Sequence, residues 1–158
     1  MQRIISPSPQ KTRKVAGEFA QAIIQKEPEK SAVVVGLYGE LGSGKTSFVQ
    51  GFVRGLGIKK AVTSPTFVIA RRYHLPQKTT PQFSYIIHID AYRLRQGKVD
   101  NARDLKNLNM AQWIKDPRII LLVEWPENIR SMLPRSALRI SFEHGKNENE
   151  RIIHLPNL

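Results

Sequence analysis

The order of hydrophobic and polar positions along the chain predicts helices and strands in alternation. Apolar residues at helical spacing predict an amphipathic helix over residues 9–26 and a second helix that ends near Leu56. A shorter helix is predicted between Asp104 and Ile114. Largely apolar runs predict strands at residues 32–38, 66–75, 83–90, 118–125, 137–142 and 151–155.

This alternation is typical of an α/β fold in which helices flank a mostly parallel central sheet. The polar segment HGKNENE separates the last two strands, and it predicts that they form an antiparallel hairpin joined to the sheet. With 158 residues and 41% hydrophobic side chains, the chain is long enough to bury one core. We therefore expect a single domain over residues 1–158.

A glycine-rich loop, GELGSGKT, follows the predicted strand 32–38 and precedes the second helix. It fits the P-loop pattern GxxxxGKS/T, in which backbone N–H groups and a helix N-terminus point at phosphate. Glycines are needed there because a Cβ would obstruct positive φ angles and close approach of the anion. The alternative is a tight strand-to-helix turn without a ligand. The residues that we expect to bind the nucleotide are Gly39, Glu40, Leu41, Gly42, Ser43, Gly44, Lys45, Thr46 and Ser47.

The P-loop pattern predicts a nucleotide phosphate as the ligand, together with Mg²⁺. Lys45 is expected to provide the positive charge for the outer phosphates, and we predict a catalytic role for it. The hydroxyl of Thr46 is placed to ligate Mg²⁺. The cysteine count of zero excludes thiolate metal sites, and the four histidines have no metal-ligand spacing, so any metal should be a hard cation on oxygen.

Two other predicted strands end in acidic residues, Asp90 and Glu124. In a parallel sheet the carboxyl ends of the strands lie on the ligand side, so either carboxylate could reach the nucleotide and its metal. The pattern does not rank them, and either could instead cap a loop or pair with an arginine. His88 lies two residues before Asp90 and therefore on the same face of its strand. It belongs either to this site or to the packing of the strand.

The chain is strongly basic, with 25 Lys and Arg against 13 Asp and Glu and a net charge of +12. Eleven of the basic residues lie between Arg54 and Lys106, against three acidic residues in the same span. Such a positive field favours a nucleic acid or an acidic protein partner, although a solvated basic surface would have the same composition. The longest aliphatic run, IILLV, is too short to span a membrane, and we expect a cytoplasmic protein.

Four motifs, GELGSGKT, SPTF at 64–67, HIDAYR at 88–93 and VEWPE at 123–127, together resemble the TsaE (formerly YjeE) family of bacterial ATPases. Their order and spacing agree over residues 10–155. The resemblance implies a small P-loop NTPase fold, hydrolysis of ATP with Mg²⁺, and a role in making threonylcarbamoyladenosine in tRNA. It also implies assembly with the proteins TsaB and TsaD.

The resemblance further implies particular roles for residues of this chain. Thr46 and Glu124 would hold Mg²⁺, and Asp90 would be required for activity as a catalytic residue. The SPTF segment would act as a switch-like loop, which assigns Ser64, Pro65 and Thr66 to the switch. Where the family usually has LGL, this chain has Leu108, Asn109 and Met110, a departure that concerns the start of a helix and not the site.

The function that we expect is that of an ATPase whose hydrolysis of ATP resets the TsaB–TsaD complex during tRNA modification. One alternative is a small-molecule P-loop kinase, for which the basic segment 93–106 would be the lid. A second is a nucleotide-gated RNA-binding module, which the net charge favours; contact with tRNA could also occur through the complex. Arg93 and Arg95 are candidates for stabilising charge on a transferred phosphoryl group, or are surface residues.

Overall fold

Within the described part of the chain, seven strands form one sheet. The structure is a computed structural model that describes residues 1–27, 29–59, 62, 69–94 and 109–158. In space the strands follow the order β1-β7-β6-β2-β5-β4-β3. Their bounds are β1 Gln2–Ser6, β2 Val33–Tyr38, β3 Ala70–His74, β4 Tyr85–Asp90, β5 Ile119–Glu124, β6 Leu138–His144 and β7 Arg151–Leu155.

The sheet is mixed, which corrects the prediction of a mostly parallel one. Strands β6, β2, β5 and β4 run parallel to their neighbours in this order. The pairs β1–β7, β6–β7 and β3–β4 are antiparallel. The predicted hairpin of β6 and β7 is confirmed, whereas β1 was not predicted. Most side chains of β1 are exposed, so residues 2–6 carry no hydrophobic pattern that would have revealed the strand.

Two helices cover one face of the sheet, α1 from Pro9 to Ile24 and α2 from Lys45 to Gly55. The side chain of Ser8 caps α1 by accepting a hydrogen bond from the backbone of Lys11 at 3.2 Å. The two helices pack closely at Gly51, where any Cβ would collide with the backbone of Arg13. Glycine is therefore needed at this contact. The aromatic core beneath them consists of Phe19, Phe48, Phe52 and Phe142.

The other face is covered by shorter elements. Among the described residues, these are helix α3, Met110–Lys115, and two 3-10 helices, Tyr92–Leu94 and Pro126–Met132. The predicted helix 104–114 is therefore observed from Met110 onward, and residues 104–108 lie outside the described part. With both faces covered, every residue of β5 is buried. None of the helices in the described ranges has the length and hydrophobicity needed to cross a bilayer.

The topology brings three chain segments to one edge of the sheet. Strand β2 lies beside β5, and β5 lies beside β4, all in parallel. Their carboxyl ends therefore meet at the same edge, where the loop between β2 and α2 also lies. In the register of the sheet, Asp90 is the direct neighbour of Glu124, as Leu37 is on the other side. This edge carries the candidate functional site.

Candidate functional site

The loop between β2 and α2 has a backbone that only glycine adopts readily. Gly39, Gly42 and Gly44 have φ angles of 149°, 73° and 101°. A Cβ on Gly39 would also lie 2.6 Å from the carbonyl oxygen of Phe142, which is too close for any side chain. The positive φ angles predicted from the motif are therefore present. Gly44 occupies the N-cap position of α2, so the loop leads directly into the N-terminus of that helix.

The β6–β7 hairpin holds this loop from outside. The Arg151 guanidinium donates from Nε to the carbonyl of Gly42 at 3.0 Å. The His144 ring donates to the carbonyl of Leu41 at 3.3 Å. Sequence reasoning did not identify Arg151 or His144, because no local motif marks a residue that reaches the loop only after the hairpin has joined the sheet.

The side chain of Lys45 lies folded against the loop and is almost fully buried. Its Nζ donates to the carbonyls of Gly39 and Glu40 at 2.6 and 2.8 Å. The same ammonium lies 3.9 Å from the centre of the Trp125 ring, which is a cation–π contact. Burial lowers the pKa of Lys45, and the negative charges of Glu124, Glu127 and Asp90 oppose that shift without cancelling it.

Trp125 has a backbone conformation that is rare for a bulky residue. It is left-handed, with φ 58° and ψ 49°, directly after the last residue of β5. The turn places the indole against Lys45 and 5.0 Å from the ring of Tyr92. Such strain, of order 1–3 kcal/mol, tends to occur at functional sites. Sequence reasoning did not single out Tyr92.

Three polar side chains converge on the carboxylate of Glu124 or lie beside it. The Thr46 hydroxyl donates to Glu124 Oε2 at 3.0 Å and approaches Oε1 at 3.3 Å. His88 Nε2 lies 2.8 Å from Oε1. Asp90 is on the neighbouring strand, where its carboxylate accepts a hydrogen bond from the backbone of Tyr92 at 3.0 Å. Glu124 is 3% exposed and Asp90 is 5% exposed, so both acids are removed from bulk water.

Thr46, Asp90 and Glu124 line a cavity of about 390 Å³, whereas His88 lies behind its wall. Its wall consists of loop residues 41–47 together with Asp90, Tyr92, Glu124 and Trp125. Gly39 and Glu40 contribute carbonyls to Lys45 instead of lining the cavity, and Leu41 is 74% exposed at its rim. The predicted nucleotide-binding residues, Thr46 and the two acids are thus brought together. The predicted switch residues Ser64, Pro65 and Thr66, and also Arg95, lie outside the described part of the chain.

The arrangement fits a phosphate group accompanied by a hard cation. The glycine loop leaves space that a Cβ would fill, and it ends at a helix N-terminus, which favours an anion. Among the described residues, Ser43 Oγ is buried without a hydrogen-bond partner beside this loop. The described residues contain no cluster of three or more metal-binding side chains. Mg²⁺ needs only one or two protein ligands when phosphate and water complete its shell, and Thr46 and Glu124 offer oxygens.

The chain is similar to proteins of one family over almost its whole length. The family model described as threonylcarbamoyl adenosine biosynthesis protein TsaE matches residues 6–153. The tRNA threonylcarbamoyladenosine biosynthesis protein TsaE of Streptomyces coelicolor is 40% identical over 112 residues, which are 71% of this chain and 69% of that protein. The protein of the same name from Bacillus subtilis is 33% identical over 126 residues, covering 78% and 69%.

A solved structure has the same fold. The crystal structure of Bacillus subtilis YdiB superimposes with a TM-score of 0.67 at 26% sequence identity. The match covers 96% of this chain and 82% of YdiB.

Proposed function

The chain belongs to the TsaE family, which acts in tRNA threonylcarbamoyladenosine biosynthesis, and from this premise we propose that it is a Mg²⁺-dependent ATPase with a P-loop NTPase fold. The observation that carries the proposal is the contact between Thr46 and Glu124. A hydroxyl at the start of α2 and a carboxylate at the end of β5 lie 3.0 Å apart, beside a glycine loop of left-handed backbone. In P-loop proteins, a hydroxyl and a carboxylate placed in this way hold the Mg²⁺ that accompanies a bound triphosphate.

In this proposal the loop and Lys45 bind the outer phosphates. Lys45 is at present held by two backbone carbonyls and the Trp125 ring, so binding would exchange these contacts for contacts with phosphate oxygens. The exchange would be favourable because burial disfavours the charge of Lys45, and a nearby anionic phosphate favours it. Lys45 then stabilises negative charge that develops on the transferred phosphoryl group.

Thr46 and Glu124 would hold Mg²⁺, which neutralises phosphate charge when bound. Asp90 lies one strand away from Glu124 and on the same face, at the rim of the same cavity. We assign it to the positioning of the attacking water or of the switch, since Glu124 and Lys45 already account for metal and phosphate. Tyr92 and Trp125 form part of the wall of this cavity.

We further propose that ATP hydrolysis resets a complex with TsaB and TsaD. A groove of about 690 Å³ between the end of α2 and β3 supports the proposal of a partner surface. Lys59, Arg71 and Arg72 line this groove. These basic side chains suit an acidic protein surface or tRNA carried by the complex. They lie outside the cavity that we assign to the nucleotide, so the two surfaces can be tested separately.

The test is phosphate release from ATP by the purified protein, with and without Mg²⁺ and with and without TsaB and TsaD. We expect release that needs Mg²⁺ and is lost in Lys45→Ala, with nucleotide affinity measured in parallel. Transfer of the phosphoryl group to an acceptor instead of water would favour the kinase alternative. Binding to tRNA in the absence of partners, steeply weakened by salt, would favour the RNA-binding alternative.

A further inference from the structure

His88 is the most deeply buried ionisable side chain near the cavity, and it does not line the cavity itself. It lies on β4 with 0% exposure, and its Nε2 is 2.8 Å from Glu124 Oε1. In the sheet register His88 is opposite Leu122, two residues before the pair of Asp90 and Glu124. His88 and Glu124 therefore project from the same face of adjacent parallel strands, towards α2.

We propose that His88 is a positioning residue that fixes the Glu124 carboxylate in the orientation needed to bind Mg²⁺ with the nucleotide. The inference rests on the proposed function, because it concerns the same cation. Histidine and carboxylate neighbours that do not touch a metal commonly orient the groups that do, and their loss lowers metal affinity about 10- to 100-fold. His88 would act in this way through Glu124 alone.

The hydrogen bond identifies which ring nitrogen carries the proton. An ionised carboxylate only accepts hydrogen bonds, so Nε2 must be the donor. Nδ1 is buried and has no hydrogen-bond partner among the described residues. A proton on Nδ1 would leave a buried donor without an acceptor, which is unfavourable. The geometry therefore assigns a proton to Nε2, the nitrogen that faces the carboxylate.

His88 and Thr46 contact different oxygens of the Glu124 carboxylate. His88 bonds to Oε1, while Thr46 makes its shorter contact with Oε2. With one oxygen fixed by a rigid ring on the neighbouring strand, the carboxylate cannot rotate about its last bond without breaking a short hydrogen bond to a charged group. Oε2 is thereby kept on the side of Thr46, where both proposed Mg²⁺ ligands are together.

Two substitutions of similar polarity separate this role from simple packing. In His88→Gln the terminal amide nitrogen can occupy the place of Nε2 and donate to Glu124. In His88→Asn the amide reaches only as far as Nδ1, so the donor is lost although the site stays polar. We expect His88→Asn to weaken Mn²⁺ binding in the presence of a non-hydrolysable ATP analogue at least tenfold, and His88→Gln to stay within about threefold of the unaltered protein.

Mn²⁺ binding is measured by electron paramagnetic resonance, which does not depend on turnover. If both variants bind Mn²⁺ as the unaltered protein does, or if both are weakened equally, the positioning role is wrong while the proposed ATPase stands. If the unaltered protein binds no Mn²⁺ with the nucleotide, the proposed function fails and this inference fails with it. Thermal unfolding of each variant without nucleotide identifies any loss that is due to misfolding.

A second measurement uses the unaltered protein and does not depend on either variant folding. With ¹⁵N-labelled histidine, the NMR shifts of the His88 ring should show a protonated Nε2 in the absence of nucleotide. Glu124→Gln should move the Nε2 resonance. A proton on Nδ1 alone, or an Nε2 resonance that ignores Glu124→Gln, would overturn the assignment.

Discussion

The contact between Thr46 and Glu124 gives a quantitative prediction for paired substitutions. Their oxygens lie 3.0 Å apart, and the carboxylate is 3% exposed, so the hydrogen bond has little competition from water. A hydrogen bond to a charged group contributes about 1.5–3 kcal/mol, which corresponds to roughly a 10- to 150-fold change in an equilibrium constant. We expect Thr46→Ala and Glu124→Ala each to impair Mg²⁺-dependent hydrolysis of ATP by at least this factor.

The double variant decides whether the two residues act as a unit. If they share one ion, the first substitution already removes most of what the second would remove. The double variant should then retain roughly 10- to 150-fold more kcat/KM than the product of the two separate losses predicts, an amount equal to the shared interaction. The assay is steady-state phosphate release over a series of Mg²⁺ concentrations, with circular dichroism to verify folding.

A threonine remote from the cavity supplies the matched control. Thr79 is exposed in the turn after β3, and its hydroxyl contacts only the carbonyl of Pro76 among the contacts described. Thr79→Ala should leave turnover unchanged, and combining it with Glu124→Ala should give losses that multiply. Losses that multiply in the Thr46 and Glu124 pair as well would refute the shared ion.

Three further predictions follow from the other parts of the site. Asp90→Asn keeps the size of the side chain and removes its charge, so ATP affinity should persist while hydrolysis falls; loss of binding comparable to that of Lys45→Ala would remove Asp90 from its assigned role. Replacing Arg71 and Arg72 with Glu should slow association with TsaB and TsaD without changing ATP affinity. The affinity of the unaltered protein for TsaB and TsaD should depend on whether ATP or ADP is present and on the salt concentration. Equal affinity with ATP and with ADP at two salt concentrations would contradict a docking role. Burial lowers the pKa of Lys45, so the unfolded chain binds more protons than the folded chain at pH values between that lowered pKa and the ordinary value of 10.5. The contribution of Lys45 to stability should therefore rise with pH in this window. Unfolding by denaturant at several pH values, compared with Lys45→Met, measures this, and a parallel pH dependence in both proteins would exclude it.

The parts of the fold that were predictable are those with a local physical cause. The loop glycines could be assigned to positive φ because the motif, the strand before it and the helix after it are contiguous. Helix α1 was predicted from its apolar spacing, and the structure ends it two residues earlier than expected, at Ile24. The unbroken apolar run of β5 is explained by its burial on both faces of the sheet.

The parts that were not predictable depend on which strands become neighbours. Strand β1 is held by β7, which lies almost the whole chain away, and its own residues are too exposed to form a pattern. The sequence placed Asp90 and Glu124 at strand ends but could not rank them, since their contacts depend on β5 lying between β2 and β4. His144 and Arg151 support the loop through the same kind of long-range pairing.

The support of the loop by the β6–β7 hairpin has a consequence for the order in which the site matures on the ribosome. The loop is synthesised early, but the residue that bonds to Gly42 is made 109 positions later, and Thr46 must wait 78 positions for Glu124. At a translation rate of about 5–20 residues per second, the loop lacks its contact with the hairpin for roughly 5 to 20 s. A nascent chain therefore carries the glycine-rich loop without its supporting contacts, and the proposed binding of ATP should become possible only when the hairpin has left the exit tunnel.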